Sequence, residues 1–304
     1  MALVPMRALL SHAQENRYAV GYFESWDLES VLSVADAAER TNSPVIIGFS
    51  GGFLSNPARK IPENIAHYGA LGLSVARQAR VPIAFLLNEA DNLDILVRGL
   101  HSGFNAVMYQ KPGEDFDTTL ERTAYLARTA HYVGADVESE VGELPMSHIA
   151  SGVVQGGEGT DPEKAAHFVR ATGIDALAIS AGNVHLLEGR KSGLDFSLIR
   201  TLREKINIPL VLHGGTGIDS AALQEAIALG VSKINVGTAL KRVYIDTLRA
   251  CLGTENLSRT DPHEIVGGGG GRDMLMQARH EMSARIEAFL RDFGSVGKAA
   301  DFSA

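Results

Sequence analysis

The chain has little of several things that would each point to a particular kind of protein. It carries a single cysteine, Cys251, in 304 residues. No disulfide can form within it, and that usage fits a reducing, cytoplasmic compartment. No apolar run approaches the roughly 20 residues that cross a bilayer. Met1 to Glu15 lacks the charged-then-apolar order of a signal peptide. Basic residues are in deficit: 28 Lys and Arg against 36 Asp and Glu give a formal charge of −8. A polyanion-binding surface needs the opposite balance, so nucleic acid is not expected as a partner, and without a spanning run neither is a membrane. No short sequence repeat and no domain boundary is visible, and residues 1–304 read as one unit, a length that α/β barrels reach as a single domain.

What is present is alternation. Apolar runs of strand length follow one another at Tyr18–Phe23, Pro44–Phe49, Val81–Leu87, Ala106–Tyr109, Val137–Val141, Ala176–Ser180, Pro209–Leu212 and Ser232–Val236. Between them lie segments with helical spacing, among them Leu28–Arg40 capped by Asp27, Asn64–Gln78, Leu93–Ser102, Thr118–Tyr132, a helix opened by Asp161-Pro162, Phe196–Lys205 and Ser220–Leu229. A lead-in helix is expected over Arg7–Asn16 and a long amphipathic one over Met274–Phe293. Eight β/α units in succession predict a (β/α)8 TIM barrel with extra C-terminal helices, because right-handed crossovers close such a series. Gly142–Thr160 reads as a long irregular loop, a candidate lid. The run Gly267–Gly271 has no following Lys-Ser/Thr and no preceding strand, so it reads as a connector and not a phosphate loop.

The chemistry is concentrated at Pro-Leu-Val-Leu-His-Gly-Gly-Thr-Gly, 209–217. A buried parallel strand delivers His213 into a loop with three glycines in four residues, where bare backbone N–H groups suit a phosphate. Lys233–Thr238 repeats the plan one strand later, as expected of a phosphate site at the top of a barrel. Active-site groups of such barrels stand at the C-terminal ends of strands. Read in order, those ends supply Glu24, Ser50, Asn88 with Glu89, Tyr109 with Gln110, Glu140, then Asn183 with His185, His213, and Asn235 with Thr238. Two histidines and several carboxylates on one rim suit a borderline divalent ion such as zinc with a coordination position left for substrate.

Several stretches resemble the class II, metal-dependent fructose-bisphosphate and tagatose-bisphosphate aldolase family. They include Tyr18-Ala19-Val20-Gly21-Tyr22-Phe23, Asn42-Ser43-Pro44-Val45-Ile46, Val137-Glu138-Ser139-Glu140-Val141-Gly142, Thr160-Asp161-Pro162-Glu163, His213-Gly214-Gly215-Thr216-Gly217, Lys233-Ile234-Asn235-Val236 and the closing 293–299. The resemblance implies retro-aldol cleavage and aldol addition of a phosphorylated ketose, with a zinc-type ion polarising the ketone and stabilising the enediolate. It implies metal ligation by His185 and His213. Phosphate binding falls on Gly214, Gly215, Thr216 and Gly217 with Asn235 and Thr238, and Gly182 lies in the same neighbourhood. Ser50 and Gly237, at the ends of their strands, are counted with the substrate site on position alone. It also implies a homodimer or homotetramer.

The departures lie at the site. Where the family has His-Leu-Asp-His-Gly, this chain has Leu86-Leu87-Asn88-Glu89-Ala90. Asn88 can hold a substrate hydroxyl but cannot take its proton. Glu89 stands in the position of a metal-binding histidine, as ligand or base. The family's Asn at the end of the first strand is Glu24, its Asp after the fourth is Gln110, and its Asp-Thr-Asp after the eighth is Gly237-Thr238-Ala239. The Gly-Gly of the catalytic loop is missing between Glu143 and Gly152. The leading expectation is therefore an aldolase-type lyase with an altered site, its metal on Glu89, His185 and His213, and proton transfer by Glu24, Glu140, Glu143 or His148. The alternatives are a sugar-phosphate isomerase or epimerase on the same scaffold, or a non-catalytic sugar-phosphate-binding protein.

Overall fold

The computed structural model describes residues 3–142, 159–183, 193–253 and 260–302, with the backbone of 146–148, 153–155 and 254. In chain order the elements are α1 (Met6–Glu15), β1 (Val20–Ser25), α2 (Leu28–Thr41), β2 (Val45–Ser50), the single turn α3 (Gly51–Leu54), α4 (Ile65–Gln78), β3 (Ile83–Ala90), α5 (Leu93–His101), β4 (Ala106–Tyr109), α6 (Phe116–Tyr132) and β5 (Asp136–Glu140). Then follow β6 (Met146–His148), β7 (Val153–Gln155), α7 (Pro162–Thr172), β8 (Ala176–Ile179), α8 (Phe196–Lys205), β9 (Leu210–Leu212), α9 (Ser220–Ala228), β10 (Val231–Val236), α10 (Thr238–Thr254), α11 (Pro262–Ile265) and α12 (Met274–Asp292).

Eight strands close in the order β1-β10-β9-β8-β5-β4-β3-β2, and each pairing between neighbours is parallel. With helices between the strands, this is the (β/α)8 TIM barrel that the alternation predicts. Strand side chains alternate between the lumen and the helical layer. Val20 and Tyr22, Ile46, Ala84 and Leu86, Ala106 and Met108, Ala176 and Ala178, and Val211 form one buried cluster inside the barrel. Met6, Leu9, Leu10 and Ala13 of α1 join that cluster, so the lead-in helix closes one end of the lumen. The opposite parity, with Phe23, Ile47, Phe85, Val107, Ile179, Leu212 and Ile234, packs outward against the helices.

Caps explain most helix starts. Asp27 accepts from Ser30 N and Ser30 Oγ answers to the Asp27 backbone, a reciprocal capping box. The side chain of Asp161 accepts from the amides of Glu163 and Lys164, with Pro162 at the first helical position.

Three segments add to the sequence reading. The stretch 142–160 contains an antiparallel pair, Met146–His148 with Val153–Gln155; its Gly and Ser content hides two short runs able to pair. Ser50 caps the turn α3, which lies between the apolar run Pro44–Phe49 and the helical spacing of Asn64–Gln78. Asp261-Pro262 starts α11 by the signature that opens α7, just ahead of the connector at Gly267–Gly271. The glycine run 267–271 ends at the cap of α12, where the carboxylate of Asp273 accepts from Gly269, Leu275 and Met276. The apolar face of α12 is buried within the chain at Met282, Ile286, Phe289 and Leu290, and Ser283 donates to the backbone carbonyl of Ser33 on α2. Among the described residues no helix is long and apolar enough to cross a membrane.

Candidate active site

The inward parity continues past the apolar layers into polar ones. On β1 it runs from Val20 and Tyr22 to Glu24, on β2 to Ser50, on β3 to Asn88, on β5 through Glu138 to Glu140, and on β10 through Lys233 to Asn235. His213 follows the last residue of β9, and it is 1% exposed.

Its imidazole is held from both sides. Nε2 lies 3.1 Å from Glu138 Oε1 and Nδ1 lies 2.9 Å from Glu89 Oε1. Glu138 is fully buried, and its second oxygen lies 2.8 Å from Lys233 Nζ, also fully buried. Lys233 in turn donates to Asn235 Oδ1 at 2.6 Å. Burial pulls the pKa of His213 down, but the two carboxylates outweigh it and raise the value to about 9. Burial likewise opposes the charge of Glu138, yet Lys233 and His213 hold its carboxyl below the ordinary range. Lys233 is the one that yields to burial, its pKa lowered despite Glu138. The site therefore favours a positive charge between Glu89 and His213.

Glu89 reaches that position by breaking the strand rule. After the inward Asn88 the next side chain should point outward. Instead Glu89 has φ +51°, and the β3–β4 register shifts between Leu87 and Ala90. This bulge turns two consecutive side chains towards the rim. A left-handed backbone at a residue with a Cβ costs roughly 1–2 kcal/mol, the kind of local strain that functional sites hold. The Gly51-Gly52 pair at the end of β2 makes room for it. A Cβ on Gly51 would sit 2.6 Å from Ala90 Cβ, and one on Gly52 would sit 2.9 Å from the Glu89 carbonyl oxygen.

Around this centre lie groups with unmet hydrogen bonds among the described residues. Glu140 Oε2 accepts from Gln110 Nε2, while Oε1 is buried with no hydrogen-bond partner, as are Asn88 Oδ1, Tyr22 Oη and Asn235 Nδ2. Burial, reinforced by Glu89 and Glu138 against His213 and Gln110, pushes the Glu140 carboxyl up to about 7. Glu24 is raised by burial too, but its carboxylate is tied to Lys241 of α10.

Beside His213, Gly214 adopts φ +69° and Gly215–Gly217 form a 3₁₀ turn. The long helix α10 starts at Thr238, directly after β10, so its first amides face the same end of the barrel. Ala239 N donates to Thr216 Oγ1 at 3.4 Å, which joins the two loops. Glu24 Oε2 lies 2.7 Å from where a Cβ on Gly237 would be. Gly182, at φ +90°, allows a tight backbone crossing: its Cβ would meet the Gly193 carbonyl oxygen at 2.3 Å. Ser50 is committed to capping α3, accepting from Phe53 N at 3.3 Å.

The structure thus brings Glu89, Glu140 and His213 together, with Asn88 and Glu24 on the same rim. His185 and Glu143 lie outside the described residues, as does the side chain of His148. Among the described residues no group of three His, Cys, Asp or Glu is arranged to hold a metal ion. Sequence reasoning passed over Glu138, Lys233 and Lys241 as site groups. Strand parity could have found the first two, since a charged residue at an inward position must meet a partner in the lumen.

The description "Fructose-bisphosphate aldolase class-II" fits residues 4–298 as a family. The chain belongs to the class II fructose-bisphosphate aldolase family. Among relatives, the chain is 33% identical over 297 residues to the uncharacterized protein YdjI of Escherichia coli K12, covering 98% of this chain and 99% of that one. It is also 33% identical over 310 residues to the fructose-bisphosphate aldolase of Geobacillus stearothermophilus, covering 99% of this chain and all of the relative. The crystal structure of the YdjI aldolase matches with a TM-score of 0.81 at 29% identity over 98% of this chain and 99% of that chain. That of a fructose-1,6-bisphosphate aldolase homologue from Coccidioides immitis has the same score at 26% identity, covering 96% and 97%. Aldolases of this family generally depend on a metal, and membership supports a lyase reading for this chain.

Proposed function

We propose that the chain is a metal-dependent aldolase-type lyase acting on a phosphorylated ketose through an altered site. One observation carries the reading: the 2.9 Å approach of His213 Nδ1 to Glu89 Oε1, made by a left-handed Glu89. An imidazole nitrogen and a carboxylate oxygen facing each other are a donor pair that suits zinc. Glu138 on the far ring nitrogen is the outer carboxylate that commonly orients a metal-bound histidine. The positive charge that this pair stabilises between its members can be a proton or a metal ion. Glu89 and His213 therefore fit two positions of a divalent ion of the zinc type; the family resemblance would add His185, which lies outside the described residues, as the third ligand. When bound, such an ion supplies Lewis-acid polarisation of a ketone.

The chain's own residues account for the rest. The 3₁₀ turn at Gly215–Gly217 and the first turn of α10 supply backbone N–H groups for the phosphate, and the spare Nδ2 of Asn235 supports the same placement. Asn88 Oδ1 accepts a hydroxyl of the ketose. Glu140, with one carboxylate oxygen unpaired among the described residues, carries the proton. In the addition direction it removes a proton from the carbon next to the ketone. That carbon then bonds to an aldehyde carbon, and the aldehyde oxygen gains a proton. In cleavage the same bond breaks and the proton returns to the carbon.

Two measurements test this: metal content of protein purified without chelators, and exchange of the α-proton of dihydroxyacetone phosphate into deuterated water followed by NMR. The reading expects about one divalent ion per chain, lost in His213→Ala, and exchange that disappears with it. A metal-free wild type showing no exchange sinks it in favour of a binding protein.

A further inference from the structure

A cavity of about 360 Å³ opens beside the β1 and β2 ends of the rim, lined by Glu24, Trp26, Ser50, Phe53, Arg59 and Lys241 among others. Its volume is at the lower end of small-ligand sites, roughly 300–1,000 Å³. Two of its walls are site residues, Glu24 and Ser50. Ser50 stands in register with Asn88 on the neighbouring strand. The phosphate loops lie at β9 and β10, next to β1 in the barrel, and the Glu89–His213 pair spans the rim from the end of β3 to the end of β9. A ketose whose phosphate is on those loops and whose ketone is at His213 therefore runs its remaining carbons into this cavity.

The charges of the cavity are already spent. Lys241 is bonded to Glu24, and its ammonium also sits over the ring of Phe53, 4.3 Å from the centroid, and 5.8 Å from that of Trp26. Arg59 is bonded to Glu63, and its second terminal nitrogen donates to the backbone carbonyl of Phe53 at 3.2 Å. Both cations thus face a carboxylate of equal charge. The rest of the wall is ring and hydroxyl: Phe49 and Tyr68 meet edge to face at 5.1 Å. A phosphate here would have to displace Glu24 or Glu63 from its cation and then lie against the displaced carboxylate. A neutral chain of hydroxylated carbons would stack on the rings and leave both ion pairs intact.

We infer that this cavity is the aldehyde-half subsite and that it takes an uncharged, unphosphorylated aldehyde, so the cleaved ketose carries one phosphate and not two. The inference rests on the aldolase reading above and narrows its substrate class. The family description concerns a bisphosphate; in this chain the second phosphate has no unneutralised cation among the described residues of the cavity.

The test uses the metal-loaded protein in the addition direction. Dihydroxyacetone phosphate is offered with glyceraldehyde or with glyceraldehyde 3-phosphate, and carbon–carbon bond formation is followed by NMR. Exchange of the donor's α-proton, which needs no aldehyde, is recorded separately. The expected result is exchange together with a kcat/KM at least 100-fold higher for glyceraldehyde. Glu63→Gln, which releases Arg59 at the edge of the cavity, is expected to raise kcat/KM for the phosphorylated aldehyde at least 5-fold and to leave glyceraldehyde within 2-fold. Exchange with equal or greater use of the phosphorylated aldehyde overturns the inference and leaves the aldolase reading standing. Exchange with addition to neither aldehyde also overturns it. Absence of exchange overturns both.

Discussion

Lys233 Nζ lies 2.8 Å from Glu138 Oε2 inside the barrel, and neither side chain has any exposed surface. At the end of β9, the strand next to that of Lys233, His213 leans on the other oxygen of Glu138. The orientation of the central imidazole is thus fixed by a buried ion pair, which is itself fixed by barrel closure. A buried pair is costly to assemble and costlier to break, since removing one partner strands a charge at a penalty of about 3–5 kcal/mol.

Lys233→Met should therefore lower the unfolding free energy by about 3–5 kcal/mol, read from urea denaturation. Pairing it with Glu138→Gln should recover much of that loss, because no unpaired charge remains. A single-variant loss below about 1 kcal/mol, the range of exposed ion pairs, would mean that water reaches this pair.

The barrel is legible in the sequence because each strand–helix pair announces itself locally, and the strand over Ala106–Tyr109 and the helix over Phe196–Lys205 match the reading to the residue. The end of β3 is not legible. Apolar patterning stops at Leu87, whereas the strand runs to Ala90 through a bulge at a left-handed Glu89, a conformation for which glutamate has no propensity. The partners of the inward charges are hidden for another reason. Glu138, His213 and Lys233 come from three different strands and meet only when the sheet closes. Lys241 faces Glu24 across 217 positions of sequence, and no local pattern links them.

Glu89 separates strain from function. Glu89→Ala and Glu89→Gly both delete the carboxylate, and both should abolish metal uptake measured by elemental analysis. At φ +51° alanine keeps the left-handed penalty of roughly 1–2 kcal/mol, while glycine sheds it at the cost of greater unfolded-state freedom, about 0.4–1 kcal/mol. The glycine variant should be the more stable of the two by roughly 0.5–1 kcal/mol. An alanine variant as stable as the glycine one would show that the bulge relaxes once the carboxylate is gone.

Asp136, at the opposite end of β5, predicts a pH dependence. It has no exposed surface. Burial raises its carboxyl from the ordinary value to about 6, with Asp175 adding to the shift and the Arg7 backbone, the Arg7 charge and His131 opposing it. A carboxyl raised in the folded state contributes stability that is complete below its unfolded value, near 4, and is lost as the pH rises through about 6. The difference between the unfolded and folded values is worth about 3 kcal/mol. Asp136→Asn cannot ionise, so its stability relative to wild type should improve by about 2 kcal/mol between pH 4 and pH 7.5. Thermal or urea unfolding at the two pH values reads this directly. A relative stability that falls over that range would mean that the Arg7 ion pair, 3.0 Å from Oδ1, outweighs burial.

Glu140 and Glu24 compete for the proton-carrying role, and their hydrogen bonds decide between them. Glu24 is bound to Lys241 and packed against Gly237, so using it as a base means stripping it from a cation. Glu140 keeps one oxygen without a partner among the described residues, while the other is held by Gln110. Glutamine in place of Glu140 preserves the shape and can still accept from Gln110, but it has no carboxylate to take a proton. Glu140→Gln should therefore slow α-proton exchange of dihydroxyacetone phosphate by about 10²–10⁴-fold, the usual worth of a positioned acid–base group, and leave metal content unchanged. Glu24→Gln should slow it by less than about 10-fold. The reverse ranking would move the proton to Glu24. Equal, small effects in both would move it to a residue of the segment between Glu143 and Gly152.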